Sequence, residues 1–457
     1  MKQQNTMFKL QTLVMAMSAI LVLTACGGGD TKIVEREPVI TDGDDHDDYD
    51  HGSGEAGGRL FVLNSADLQA EVFDLDDNDL IKSIALSALP YSVYASGAYR
   101  YAALVDRNAN KVNFIDGGLW LEPHDDHFHV NSSMPKLINY SVSGSRPTHF
   151  VSHGGEVAVF YDGDAATNSN ASVQVLTDEL IAGAGIPAEI NFDMPMHGVA
   201  EPRGEHLLST IRRDDADSTS NNFVLPDQVG VYHVHSGSYE LEQTLDVNCP
   251  DLHGAAQNET HVIFGCSDGV LVAAEGENGD YSAQKLDNPD TLIDGARIGS
   301  IWGHEASEQF IGLASSGDVS QFFVIDPALG ELELIDWEPL DNAKPVARGF
   351  AYEAEQFVIL DDQGYLTQIT SHQEGDYIHW EYSGRLEITG ADLGEMPEGA
   401  NFSMTFSQNG HTVYISDPIS QHIVIVDLDS FEVSGEIELD YVPSMITWLG
   451  IAEEHDH

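Results

Sequence analysis

Basic residues are scarce in this 457-residue chain: 19 Lys and Arg stand against 76 Asp and Glu, for a formal charge of −57. A polyanion of this strength is repelled by the phosphates of nucleic acids and by anionic lipid surfaces, so both are poor partners. The physical consequence is attraction of cations, although most of these carboxylates serve solubility. Cysteine is scarcer still, with three in the chain. That number excludes a disulfide-dense scaffold, and the spacing matches no zinc ribbon or haem attachment. The longest apolar run falls short of the roughly 20 residues that a membrane-spanning helix needs, and no long stretch has helical periodicity. His-Glu-x-x-His and the nucleophile elbow of common hydrolases are also missing.

That apolar run, residues 13–23, follows Lys2 and Lys9 and ends in Leu23-Thr24-Ala25-Cys26-Gly27. It suits the core of a signal peptide, and the small residues before Cys26 resemble the lipobox of bacterial lipoproteins. The expectation is a signal peptide over residues 1–25 and a lipid on the Cys26 sulfur. Gly27 is not the aspartate that marks inner-membrane retention, which favours the outer membrane, facing the periplasm. Cys249 and Cys266 then remain. In an oxidising compartment a disulfide between them is the expected pairing, with a metal-binding thiolate pair as the alternative. Residues 26–58 carry few aliphatics and a dense acidic run, so they read as a flexible tether. Residues 59–457 read as one large domain.

From Arg59 onward, short β-branched or aromatic runs alternate with Gly, Asp, Asn and Ser turns, the pattern of an all-β protein. Paired runs such as Leu60-Phe61-Val62-Leu63 with Val72-Phe73-Asp74-Leu75 recur near every 50 residues, in about eight units, which is the regime of propeller blades. Seven blades, or a pair of β-sandwiches, are the alternatives. A further strand precedes each central pair except the first. The matching segment for that unit, Ser444-Met445-Ile446-Thr447-Trp448-Leu449, lies at the far C-terminus, where its entry into the first blade closes the ring and removes exposed edges.

Three histidines recur at one place in successive units: Pro147-Thr148-His149, Pro195-Met196-His197-Gly198 and Pro250-Asp251-Leu252-His253-Gly254. On a propeller, equivalent positions at the start of the inner strand converge near one mouth of the channel. Three imidazoles suit zinc and leave a coordination position open. The competing reading, that each histidine serves a neighbouring loop, explains one such residue better than three in register. A second cluster, His124, His127 and His129 with Asp125 and Asp126, sits in an insertion of the second unit. Acidic histidine-bearing tracts flank the repeats, with His46 and His51 before them and His455 and His457 after. Alternating strand directions put these weaker ligands at the rim opposite the histidine triad.

The segments 149–163, 197–200, 249–256 and 264–269, with Leu119-Trp120-Leu121-Glu122 leading into the His124 cluster, resemble the AztD family of periplasmic zinc metallochaperones. The resemblance covers nearly the whole chain after the leader. It implies a propeller that binds Zn(II) and hands it to the solute-binding protein of a zinc ABC transporter, here as a monomer tethered to the membrane by the Cys26 lipid alone. The lipobox and a tail richer in aspartate than histidine depart from the family's pattern. Two other functions remain open: a zinc hydrolase or lyase with Glu201 or Glu305 as base, and a surface-anchored interaction propeller. Copper(II) binds nitrogen sites more tightly than zinc, so ligand type alone does not fix the metal.

Overall fold

The computed structural model of the protein describes residues 57–124, 127–213, 224–276, 279–375 and 377–453. Cys26, His46, His51, His455 and His457 lie outside the described residues, as do the side chains of His124 and His127. Everything described belongs to one compact unit, Gly54–His457.

The chain folds as four-stranded antiparallel meanders, a consequence of strands a few residues long separated by turn-forming residues. Six are separate sheets, and two more share an eight-stranded sheet through a single parallel pairing of Glu189 with Ser238, giving eight meanders among the described residues. Their inner strands begin with Ser92–Ala95, Pro147–His153, Ala200–Arg203 and Ala255–Gln257, then continue with Ile298–Trp302, Pro345–Phe350 and Ser403–Phe406. The first sheet takes its inner strand from the far end of the chain: Pro443–Leu449 pairs with Arg59–Asn64, with Trp448 opposite Leu60. The closure expected from the sequence is therefore made.

Inner strands neighbour one another around a channel. Pro147–His153 lies beside Ala200–Arg203, that strand beside Ala255–Gln257, and Ser403–Phe406 beside the closing strand. Tyr94 stacks on Phe150 with ring centroids 5.0 Å apart, and the Arg348 guanidinium lies 4.8 Å from the Trp302 ring. These contacts link the inner strands that carry those residues. The second strand of each sheet is buried on both faces, as in Glu156–Tyr161, because sheets cover it from both sides. One apolar cluster fills each gap between sequential sheets, and the last joins the eighth sheet to the first through Tyr414, Ile423 and Trp448. Truncating a fully buried aromatic such as Phe160 costs about 3–5 kcal/mol in such a core.

Two features position the candidate site. Cys249 and Cys266 form a disulfide across 17 residues, with Cα atoms 4.9 Å apart, inside the cluster between the fourth and fifth sheets. It ties the loop carrying His253 to the end of strand His261–Cys266. The hairpin Leu119–His124 with His127–Ser132 is an insertion between the third and fourth strands of the second sheet, in the place the sequence assigns to the His124 cluster.

Candidate metal centre

His149 is the third residue of its inner strand, opposite Phe160. His197 and His253 do not begin strands, as the repeat pattern suggested; they sit in the loops just ahead, and their strands start at Ala200 and Ala255. The glycine after each of these two histidines is closely packed. A Cβ on Gly198 would lie 2.2 Å from Thr210 Oγ1, and one on Gly254, which has φ of +79°, would lie 2.4 Å from the Gly299 carbonyl oxygen. Only glycine lets the chain pass there and still present the preceding imidazole.

The three rings converge. Centroids are 5.0 Å apart for His149 and His197, 5.5 Å for His197 and His253, and 6.4 Å for His149 and His253. Imidazoles sharing a tetrahedral ion through bonds of about 2.0–2.1 Å have centroids roughly 5 Å apart, so the spacing suits a common ion. The ring orientations are not closed onto one point: among the described residues, the set of donor atoms lying within 4.8 Å of one another is His233, His235 and Glu242, not this triad.

The second partners of two rings decide which of their nitrogens is left for a ligand. His253 Nδ1 donates to the Gly299 carbonyl at 3.0 Å, and a carbonyl only accepts, so Nε2 of the neutral ring carries the lone pair. His197 Nδ1 lies 3.3 Å from both Asp162 oxygens, the carboxylate–histidine arrangement that orients metal ligands. Asp162 is itself held by Arg107 Nη2 at 2.9 Å, and Arg107 also donates to Thr148 Oγ1. Burial alone would raise the Asp162 pKa; the hydrogen bond and charge of His197, with Arg107 and Thr148, overcome it and hold the group below its usual range. Burial, reinforced by His197, lowers the His149 pKa to about 4. Burial also lowers that of His253. Both rings are therefore neutral, the form that ligates. His253 further borders a cavity of about 940 Å³ shared with Asp251, Asp294 and Arg297, which gives the site an approach from solvent.

The other sequence candidates lie elsewhere. His129 is exposed and pairs across its hairpin with Glu122. That hairpin leaves the end of the third strand of its sheet, Lys111–Asp116, so it stands at the rim opposite the triad. Glu201 is fully buried; Gln257 Nε2 donates to it at 2.9 Å, and desolvation raises its pKa to about 8. Glu305 borders a cavity of about 930 Å³ at the far mouth, with Trp120, His153 and Glu453. Neither carboxylate attends the triad. Sequence reading missed His206, His233, His235 and Glu242, which gather on the fourth sheet. The alternation of His233 and His235 within a strand was the available signal.

A β-propeller with histidines converging at one channel mouth is the class that fold and site define. No family model matches the chain. In sequence it is similar to the zinc chaperone AztD of Citrobacter koseri, 24% identical over 423 residues that span 87% of this chain and 89% of the relative. The crystal structure of Citrobacter koseri apo AztD superposes with a TM-score of 0.68 at 22% identity, covering 86% of this chain and 97% of that one. A second AztD crystal structure from that organism gives the same score over 87% of this chain. The dihydro-heme d1 dehydrogenase NirN shares the fold at a TM-score of 0.54 and 12% identity. The chain is thus similar to AztD in sequence and shares its fold.

Proposed function

We propose that this protein is a zinc metallochaperone of the cell envelope, built on an eight-bladed propeller, that binds Zn(II) through His149, His197 and His253 and passes it by ligand exchange to the solute-binding protein of a zinc ABC transporter. The observation that carries the reading is the convergence of the three rings at 5.0–6.4 Å, with Nδ1 of His197 and His253 already engaged by Asp162 and Gly299. Similarity to a relative called a zinc chaperone supports the choice of cargo. Three nitrogen donors leave a fourth position at which an acceptor's ligand enters before the ion departs, which is the chemistry of direct transfer.

In this reading the protein works as a monomer held to the periplasmic side of the envelope, at the outer membrane, by a lipid on Cys26. His46, His51 and the His124, His127 and His129 hairpin act as capture ligands, weaker because ordering flexible side chains costs conformational entropy. Hydrolysis at the same ion is the less favoured alternative, since Asp162, the carboxylate beside the triad, is committed to His197 and Arg107. Mixing zinc-loaded protein with the metal-free solute-binding protein, then separating the two and measuring zinc in each, tests the reading. Transfer at a rate that rises with acceptor concentration is expected. A rate independent of acceptor would mean release into solution and would contradict direct exchange.

A further inference from the structure

We infer a second divalent-cation site on the outer part of the fourth sheet, formed by His233, His235 and Glu242. His233 and His235 end the strand Gln228–His235, two residues apart and so on one face. Glu242 belongs to the adjacent strand Ser238–Thr244, at a β-bulge: Val231 pairs with Gln243 and Tyr232 with Leu241, which leaves Glu242 as the extra residue. Bulges of this kind re-aim a side chain. Here the Glu242 carboxylate reaches both rings, with Oε1 3.6 Å from His233 Nδ1 and 3.5 Å from His235 Nε2. The two ring nitrogens are 3.1 Å apart.

Those three separations match the demand of an ion. Donors bonded at about 2.0–2.1 Å in a tetrahedron stand roughly 3.3 Å from one another. The geometry is thus closer to a finished site than that of the triad. Two imidazoles and a carboxylate select zinc and its neighbours in the first transition row; calcium and magnesium prefer oxygen alone. More polar groups surround the trio. Glu205 Oε2 lies 3.7 Å from His233 Nε2, and His206, the cross-strand partner of His233, places its ring 5.1 Å away and its Nδ1 3.8 Å from Glu275.

Position distinguishes the two sites. His197 precedes the first strand of this sheet, whereas His233 and His235 end the third, which runs the same way. They therefore occupy opposite ends of the blade, and the trio shares its rim with the His129 hairpin. His235 and Glu242 are about half exposed, at 47% and 50%, against 26% for His197. An ion there meets solvent directly and exchanges faster than one at the triad, as a loading site must. The trio deepens the carrier reading and rests on it for its biological role, but its chemistry is tested separately.

The test is titration of the full chain with Zn(II) against a chromophoric chelator, in a His149→Ala background that disables the triad and in the same background with His233→Ala and His235→Ala. Loss of one bound equivalent on adding the second pair of changes is expected. Glu242→Gln, which keeps the side chain's shape, should weaken that equivalent at least tenfold, and it decides the matter alone if the histidine variant does not fold. An unchanged number of equivalents and an unchanged affinity in the Glu242→Gln protein would overturn the site. If His149→Ala has no effect on wild-type stoichiometry, the triad reading fails while this one is still decided by the second comparison.

Discussion

His253 Nδ1 donates to the carbonyl of Gly299 at 3.0 Å, and this contact from the next blade fixes which nitrogen of the ring faces the channel mouth. Gly254 makes the approach possible, with φ of +79° and room for no Cβ against the same carbonyl. Replacing Gly254 with Ala is expected to move His253 and weaken the tightest zinc equivalent tenfold or more, with a stability loss of about 1–3 kcal/mol from the left-handed backbone. Chelator competition and denaturant unfolding read the two effects. Full affinity in a destabilised variant would show that the backbone position does not matter to the site.

Asp162 is expected to act through His197. Asp162→Asn keeps the volume but removes the charge that orients and polarises the ring, and loss of such a partner typically costs 10–100-fold in metal affinity. The same zinc competition should show that loss, with the variant still folded by circular dichroism. An affinity within twofold of wild type would leave Asp162 as a partner of Arg107 alone.

The disulfide should contribute about 3 kcal/mol, the value for a closed loop of roughly 15 residues. Urea unfolding of the Cys249→Ala, Cys266→Ala protein measures it. Because the bond anchors the loop leading to His253, zinc affinity should fall in parallel. Equal midpoints with and without the bond would assign it no structural role.

Much of this architecture is legible in the sequence for physical reasons. Short apolar runs between turn residues define the strands, and the orphan segment at 444–449 announces ring closure because every other unit has its own inner strand. The triad is readable since repeat position becomes angular position on a propeller. What escaped is the trio on the fourth sheet. His233 and His235 are visible as an alternating pair, but Glu242 joins them only through a bulge that breaks strand register between Val231 and Tyr232. Register is a tertiary outcome that local pattern does not encode. The inner strands also start a few residues later than the pattern suggests at His197 and His253, each of which is followed by a closely packed glycine.

The metal-free protein should lose stability in mild acid. Burial first, then the neighbouring His197, lowers the His149 pKa from the ordinary 6.5 to about 4. The unfolded chain therefore takes up this proton before the folded one does. The stabilisation is complete above pH 6.5 and is lost as pH falls towards 4, amounting to at most about 3 kcal/mol for this group. Unfolding free energies of wild type and His149→Gln in the presence of a chelator, measured from pH 7 to pH 4.5, should differ in slope, the variant being flatter. Parallel curves would mean that His149 titrates as an exposed ring does.

The most direct test of the account is the zinc content and affinity of the single variants His149→Ala, His197→Ala and His253→Ala, each compared with wild type under one chelator buffer. If the three rings share one ion, each change removes the same, tightest equivalent and leaves the fold intact, because all three side chains are partly exposed and outside the apolar clusters. If all three variants retain that equivalent at wild-type affinity, the triad is not the metal centre and the central claim is wrong.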